Sequence, residues 1–222
     1  MAIAVNNFAS KEQLLAAVEA LIRDTLSQPA ERDYALMVSG GNTPLPVYAA
    51  IAAEPFAASP RAHLAFTDDR YLPVDSPDSN FGNARAMIDA VGLSGRTLHI
   101  NPDLEIEACA ADYDTALARF FDGGGRIPIA LLGLGSDGHT CSLFNDTDLA
   151  RAANCLAAPC YKAVPPHRVT VSPDLLARVE KVIFVVAGDD KAPMIAALID
   201  NPESITAGKA VARCPSVALW CA

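Results

Sequence analysis

The chain has 222 residues, of which 51% are hydrophobic and 19% charged, with 16 prolines spread along it and a formal net charge of −9. That is enough apolar material to bury one full core as a single domain spanning residues 1–222, and it excludes a disordered chain. The acidic balance disfavours nonspecific binding to nucleic acid or to an anionic membrane, while leaving room for arginines and lysines to receive a small anion inside a cleft. The longest apolar runs, such as residues 182–187, fall far short of the roughly twenty residues that a membrane span requires. The opening MAIAVNNFASKEQ lacks a basic stretch followed by a long apolar one, so a cytoplasmic location is expected. Six scattered cysteines show neither C-x-x-C nor a cysteine–histidine pair at zinc spacing. Free buried thiols are expected, with no disulfide and no metal site.

In chain order, residues 10–27 have the pattern of a helix: Ser10 suits an N-cap, and Leu14, Val18, Leu21, Ile22 and Leu26 keep helical spacing. Residues 34–38 form a strand pattern that leads into Ser39, Gly40, Gly41, Asn42 and Thr43. A helix follows near Pro44, with Thr43 as its N-cap and proline at its first position. Two glycines beside a helix N-terminus make a natural N–H cradle for phosphate, although the same residues suit a plain strand-to-helix turn. The lysine of a Walker loop is absent. Residues 63–67 form a second buried strand that runs into Asp68, Asp69 and Arg70, three charges that need solvent, pairing or a ligand. A long irregular loop and a helix over about 80–91 come next.

Residues 97–100 are a short strand candidate in which His99 is expected to be packed or hydrogen-bonded rather than catalytic. Residues 105–121 form an amphipathic helix with Ile106, Cys109, Ala110, Tyr113, Leu117, Phe120 and Phe121 on one stripe, ended by three glycines. Residues 128–144, PIALLGLGSDGHTCSLF, join a buried strand to a glycine-rich polar loop that carries Asp137, Gly138 and His139. The loop has turn composition, and Gly133, Gly135 and Gly138 satisfy G-x-G-x-x-G. A dinucleotide site would need an acidic residue some twenty positions on, and residues 155–160 supply none.

Strands are expected over 157–163 and 168–172, a short helix over 173–179, and an ordered turn at the prolines before His167. A further buried strand begins at Lys181, followed by a helix over about 190–200 with Lys191 in its first turn, where an acid would be favoured. Lys191 is therefore a candidate anion ligand. Residues 216–222 close the chain as a strand. The alternation describes an α/β, single-domain, doubly wound, mostly parallel sheet with helices on both faces.

Three blocks then read together: SGGNTP at 39–44, TDDRYLPVDSPDSNFGNA at 67–84 and LLGLGSDGHTCSLF at 131–144. In this order and spacing they resemble the lactonase branch of the glucosamine-6-phosphate isomerase/6-phosphogluconolactonase superfamily. RVT at 168–170 and GDDK at 188–191 match as well. The resemblance implies a modified Rossmann fold and hydrolysis of 6-phospho-D-glucono-1,5-lactone to 6-phosphogluconate, the second step of the oxidative pentose phosphate pathway. It implies neither cofactor nor metal, a small phosphorylated sugar lactone as the partner, and no nucleic acid or membrane. A monomer and a homodimer fit equally.

The residue chemistry is consistent with that implication. Gly40, Gly41, Asn42 and Thr43 supply an N–H cradle, Arg168 and Lys191 supply cations, and Asp68 and Asp69 are candidates for holding substrate. His139 is the candidate base that activates water, and Asp137 orients it or holds a sugar hydroxyl. Arg70 stabilises the oxyanion or clasps the phosphate. The deaminase branch of the superfamily resembles DGHIAFNEP, with a glutamate where this chain has Phe144, which argues against opening of an aminosugar phosphate. A non-catalytic sugar-phosphate sensor is the remaining alternative.

Overall fold

A computed structural model describes residues 3–222. The first half of the chain runs β1 (Ile3–Asn7), α1 (Lys11–Ser27), β2 (Tyr34–Val38), α2 (Leu45–Ala53), β3 (Ala62–Phe66), β4 (Asp68–Arg70), α3 (Asn80–Ala90), β5 (Thr97–Leu98) and α4 (Ile106–Asp122). The second half runs β6 (Arg126–Leu132), α5 (Asp146–Arg151), β7 (Ala157–Cys160), β8 (Arg168–Val171), α6 (Pro173–Leu176), β9 (Lys181–Val186), α7 (Ala192–Asp200), α8 (Thr206–Ala210) and β10 (Val217–Cys221).

Seven strands make a wholly parallel sheet in the order β1-β10-β9-β6-β2-β3-β5. Its residues alternate between two cores, with one irregularity on β6 where the register against β2 shifts. On β2, Ala35 and Met37 pack into one core while Tyr34, Leu36 and Val38 pack into the other. The second of these cores is closed by α1, α2 and α3, through residues such as Leu14, Ile51 and Met87. The first is closed by α4, the C-terminal helices and a separate three-stranded antiparallel sheet in the order β4-β8-β7. A parallel sheet buried on both faces explains why its strands read as continuous apolar runs.

The sequence reading places the large sheet and the long helices correctly, with five local differences. The helix after the glycine loop starts one residue late: Pro44 itself occupies the cap position and no side chain caps it, so Thr43 is not the N-cap. The helix expected over 173–179 is a single turn, and Lys191 lies in a 3₁₀ turn that precedes α7. Strand β1, unassigned from sequence, adds to the sheet edge beside β10. Most consequentially, Asp68–Arg70 does not project from the end of β3 but forms β4, which pairs with β8 in the small sheet. Helices thus cover one face completely and share the other with that sheet.

At Ser10 and His99 the local chemistry behaves as expected. The Ser10 hydroxyl accepts from the Gln13 N–H at 3.3 Å and caps α1. His99 stacks on Phe81 at 3.7 Å and bonds the Ile100 carbonyl at 2.8 Å, and burial lowers its pKa, so it is a packed, neutral histidine. All six cysteines are free. Among the described residues no helix is long and apolar enough to cross a membrane, and no metal-binding cluster occurs.

Asp69 corrects the expectation that it meets substrate. It is 2% exposed, and it accepts backbone N–H groups from Arg70 at 2.7 Å, Asn80 at 2.6 Å and Phe81 at 2.9 Å, with the Ser79 hydroxyl at 3.3 Å. Burial pushes its carboxyl up, against these N–H donors, which pull it down. The carboxyl satisfies the orphan donors at the start of α3 and fixes that helix against β4. Asp69→Ala should therefore lower the unfolding free energy by about 2–3 kcal/mol, as expected for a buried cap whose donors lose their acceptor. Chemical denaturation measures this, and a loss below about 0.5 kcal/mol, the size of an ordinary surface change, would contradict it.

Candidate active site

The strand order reverses at β2: the chain proceeds outward through β3 and β5, then returns to β6 on the other side of β2. Open α/β sheets bind ligands in the crevice beyond the carboxyl ends of strands at such a point. The loops that leave β2 and β6 here are residues 39–44 and 133–145, and both line a cleft of about 560 Å³. Gly40, Gly41, Asn42, Thr43, Asp68, Arg70, His139, Arg168 and Lys191 all face it. Asp69 does not.

The loop after β2 is built around one close approach. A Cβ at Gly40 would overlap the Asn80 carboxamide, so only glycine lets this loop lie against the start of α3. Asn80 in turn accepts from Arg70 Nη1 at 2.6 Å and donates through its Nδ2 to the Asp68 carbonyl at 2.8 Å. Arg70 Nη1 also donates to the Asp78 carbonyl at 2.8 Å, tying down the loop between β4 and α3. Across the small sheet Arg70 stands in register with Arg168. Burial, followed by the charge of Arg70, lowers the pKa of Arg168 from its high ordinary value. Guanidinium groups stay protonated in proteins, so the two present adjacent positive charge with no carboxylate in ion-pair contact.

The loop after β6 presents the ionisable pair. Asp137 Oδ1 meets His139 Nδ1 in a short hydrogen bond, and a Cβ at Gly135 would overlap both side chains. The Gly135 N–H donates to the His139 carbonyl at 2.8 Å, and the Thr140 hydroxyl donates to the Gly133 carbonyl at 2.8 Å, closing the loop on itself. Burial raises the pKa of Asp137, but the bond and charge of His139 outweigh it and hold the carboxyl below its ordinary value. An ionised Asp137 can only accept, so the neutral form of the His139 imidazole has its proton on Nδ1 and its lone pair on Nε2. The imidazole also packs against Phe144, with ring centroids 4.5 Å apart.

Asp68 joins the two halves. It accepts the Ser142 hydroxyl at 2.6 Å and the Thr67 hydroxyl at 2.9 Å, while the Ser142 N–H donates to Thr170 Oγ1 at 3.1 Å on β8. Asp68 thus lines the cleft with both carboxylate oxygens already hydrogen-bonded, and it braces the His139 loop. Cys141 also faces the cleft, but burial pushes its thiol well above its ordinary pKa. At neutral pH it is not a thiolate nucleophile.

Two cleft cations escape the sequence reading. Lys11 stands in the first turn of α1, and the signal that singled out Lys191, a lysine opposing the helix dipole, was present there too. Lys162 lies on the loop between β7 and β8 and carries no local signal, because only the fold brings it to the cleft. Lys191 itself contacts only the exposed Asp190, at 3.5 Å. Five cations therefore line one cleft in a chain with a net charge of −9.

Residues 9–219 match the family model described as glucosamine-6-phosphate isomerases/6-phosphogluconolactonase. The chain is 33% identical over 215 residues to a human 6-phosphogluconolactonase, covering 90% of this chain and 82% of the human one. It is 36% identical over 170 residues to the enzyme of the same name from Nostoc, covering 73% and 70%. A crystal structure of 6-phosphogluconolactonase from Leishmania guyanensis superposes with a TM-score of 0.85 at 23% identity, over 100% of this chain and 96% of that one, a likeness of fold.

Proposed function

Because this chain belongs to the glucosamine-6-phosphate isomerase/6-phosphogluconolactonase family, we propose that its cleft hydrolyses 6-phospho-D-glucono-1,5-lactone to 6-phosphogluconate. The observation that carries the reading is the Asp137–His139 contact placed in a cation-lined cleft. Asp137 holds Nδ1, so Nε2 can take a proton from water as the oxygen adds to C1 of the lactone. The carbonyl oxygen becomes an oxyanion. Its collapse breaks the bond between C1 and the ring oxygen, which takes the proton back from Nε2 and leaves as the C5 hydroxyl. The new carboxyl group loses its proton to solvent. The cycle needs one base and one proton, and both belong to His139.

The phosphate belongs at the other end. The backbone N–H groups of the loop at residues 40–43, with Arg168 and Lys191, form the cradle. Arg70 joins them, because Asn80 holds its guanidinium beside Gly40 and it stands in register with Arg168. These two observations support the phosphate over the oxyanion as the partner of Arg70. Phe144 weighs against deamination. An apolar ring packed on His139 occupies the place where the deaminase pattern has the glutamate partner of its histidine.

His139→Ala should lower kcat for the lactone by on the order of 10²–10⁴ without loss of fold, the usual worth of a general base; an unchanged turnover would sink the assignment. Arg168→Met and Lys191→Met should each raise KM for the phosphorylated lactone far more than for unphosphorylated gluconolactone, and equal effects on the two substrates would reject phosphate recognition. A coupled assay that compares the lactone with glucosamine 6-phosphate decides among lactonase, deaminase and sensor, since a sensor turns over neither.

A further inference from the structure

We infer that Lys162 supplies the positive charge that meets the carbonyl oxygen of the lactone as it becomes an oxyanion, and then the carboxylate of the product. This assignment rests on the lactonase reading of the cleft. Lys162 Nζ lies 3.7 Å from the centroid of the Phe144 ring, and the same ring lies 4.5 Å from the His139 imidazole. The ammonium and the base therefore border one aromatic side chain and face one cleft. Arg70 and Arg168 are drawn to the opposite end by Asn80 and by their shared register, and Lys191 sits beyond β9 next to Asp190. Of the five cleft cations, Lys162 is the one that contacts the ring packed on His139.

Its surroundings keep the charge both placed and uncompensated. Lys162 is half-buried on a loop whose residues 163–165 are exposed. Its backbone N–H donates to His167 Nδ1 at 3.2 Å, and the His167 ring packs edge-on against Tyr161 at 5.4 Å. Tyr161 donates its hydroxyl to Glu107 on α4 and lies under the Arg151 guanidinium, so the loop is anchored to two helices. Among the described residues no carboxylate lies within ion-pair distance of the Lys162 ammonium. The face of Phe144 holds it by a cation–π contact, which attracts the charge without neutralising it. A carboxylate at position 144 would pair with the lysine instead. Phenylalanine there keeps three ammonium donors available for an oxygen that acquires charge only during the reaction, which is the condition for stabilising a transition state more than a ground state.

The test compares wild-type protein with Lys162→Met and Lys162→Arg in lactone hydrolysis. It also compares their affinities for 6-phosphogluconate and for 1,5-anhydroglucitol 6-phosphate, which has the same phosphate but no exocyclic oxygen on C1. Lys162→Met should lose on the order of 10² in kcat with little change in KM, the worth of one oxyanion donor. It should bind 6-phosphogluconate about tenfold more weakly and the anhydro compound as wild type does, a difference of about 1.4 kcal/mol confined to the carboxylate. Lys162→Arg should recover most of both losses. Equal weakening of the two ligands would make Lys162 a phosphate ligand and overturn the assignment, as would an unchanged kcat with unchanged 6-phosphogluconate affinity. Absence of turnover in the wild-type protein would sink the lactonase reading, while the two affinities would still decide what Lys162 binds.

Discussion

Two adjacent carboxylates, Asp68 and Asp69, are 8% and 2% exposed, and neither forms an ion pair. Burial of unpaired charge is tolerated only where hydrogen bonds replace the lost water, and here the two side chains divide that work between opposite faces of a three-residue strand. Asp69 takes the N–H groups that open α3 and so fixes Asn80, and Asn80 fixes both Arg70 and the approach of Gly40. Asp68 takes the Ser142 hydroxyl and so fixes the loop that bears His139. Removal of either carboxylate would leave donors unpaired in the interior and loosen one end of the site.

This arrangement separates binding from chemistry. In the proposed reaction, fixed N–H groups and guanidiniums hold the phosphate, which does not change, and the base works at C1. Contacts to a group remote from the reacting bond can then orient C1 against His139 rather than merely tighten binding. The electrostatics have the same design: the global charge of −9 repels anions from most of the surface, while five cations in one concave place invert the field locally. A lactone opens readily by itself, so a histidine held in one tautomer and a cation near the carbonyl oxygen are apparatus in proportion to the task.

What the sequence disclosed follows from where its signals are local. The parallel strands are buried on both faces and read as apolar runs, and the long helices carry caps and 3.6-residue stripes, so the large sheet, α1 and α4 were legible with their borders nearly right. The two glycine loops were legible as loops at strand ends, although their turn composition alone did not tell a site from a plain turn. Strand β4 was not: Asp-Asp-Arg has no strand propensity, and it pairs in the small sheet because β8 and the cap of α3 satisfy its charges. For the same reason Asp69 looked like a ligand residue. Its partners lie ten to twelve positions away, beyond any local pattern. Lys162 was invisible because the contact that defines it, with Phe144, spans two loops that only the fold brings together.

Phe144 shows how one position can set the chemistry of a shared scaffold. The glycine loop, the Asp137–His139 pair and the phosphate cradle would serve either branch of the family, since each binds a phosphorylated sugar and moves a proton. A carboxylate at 144 would sit against both the imidazole and the Lys162 ammonium. It would favour the protonated imidazole and satisfy the lysine, giving a site suited to proton relay on an open-chain aminosugar. An aromatic ring there does the opposite on both sides. It packs against the base without offering it a proton acceptor, and it leaves the ammonium unneutralised. A neutral base beside an unpaired cation is what addition of water to an ester carbonyl requires: a proton acceptor for the water and a positive charge for the oxygen.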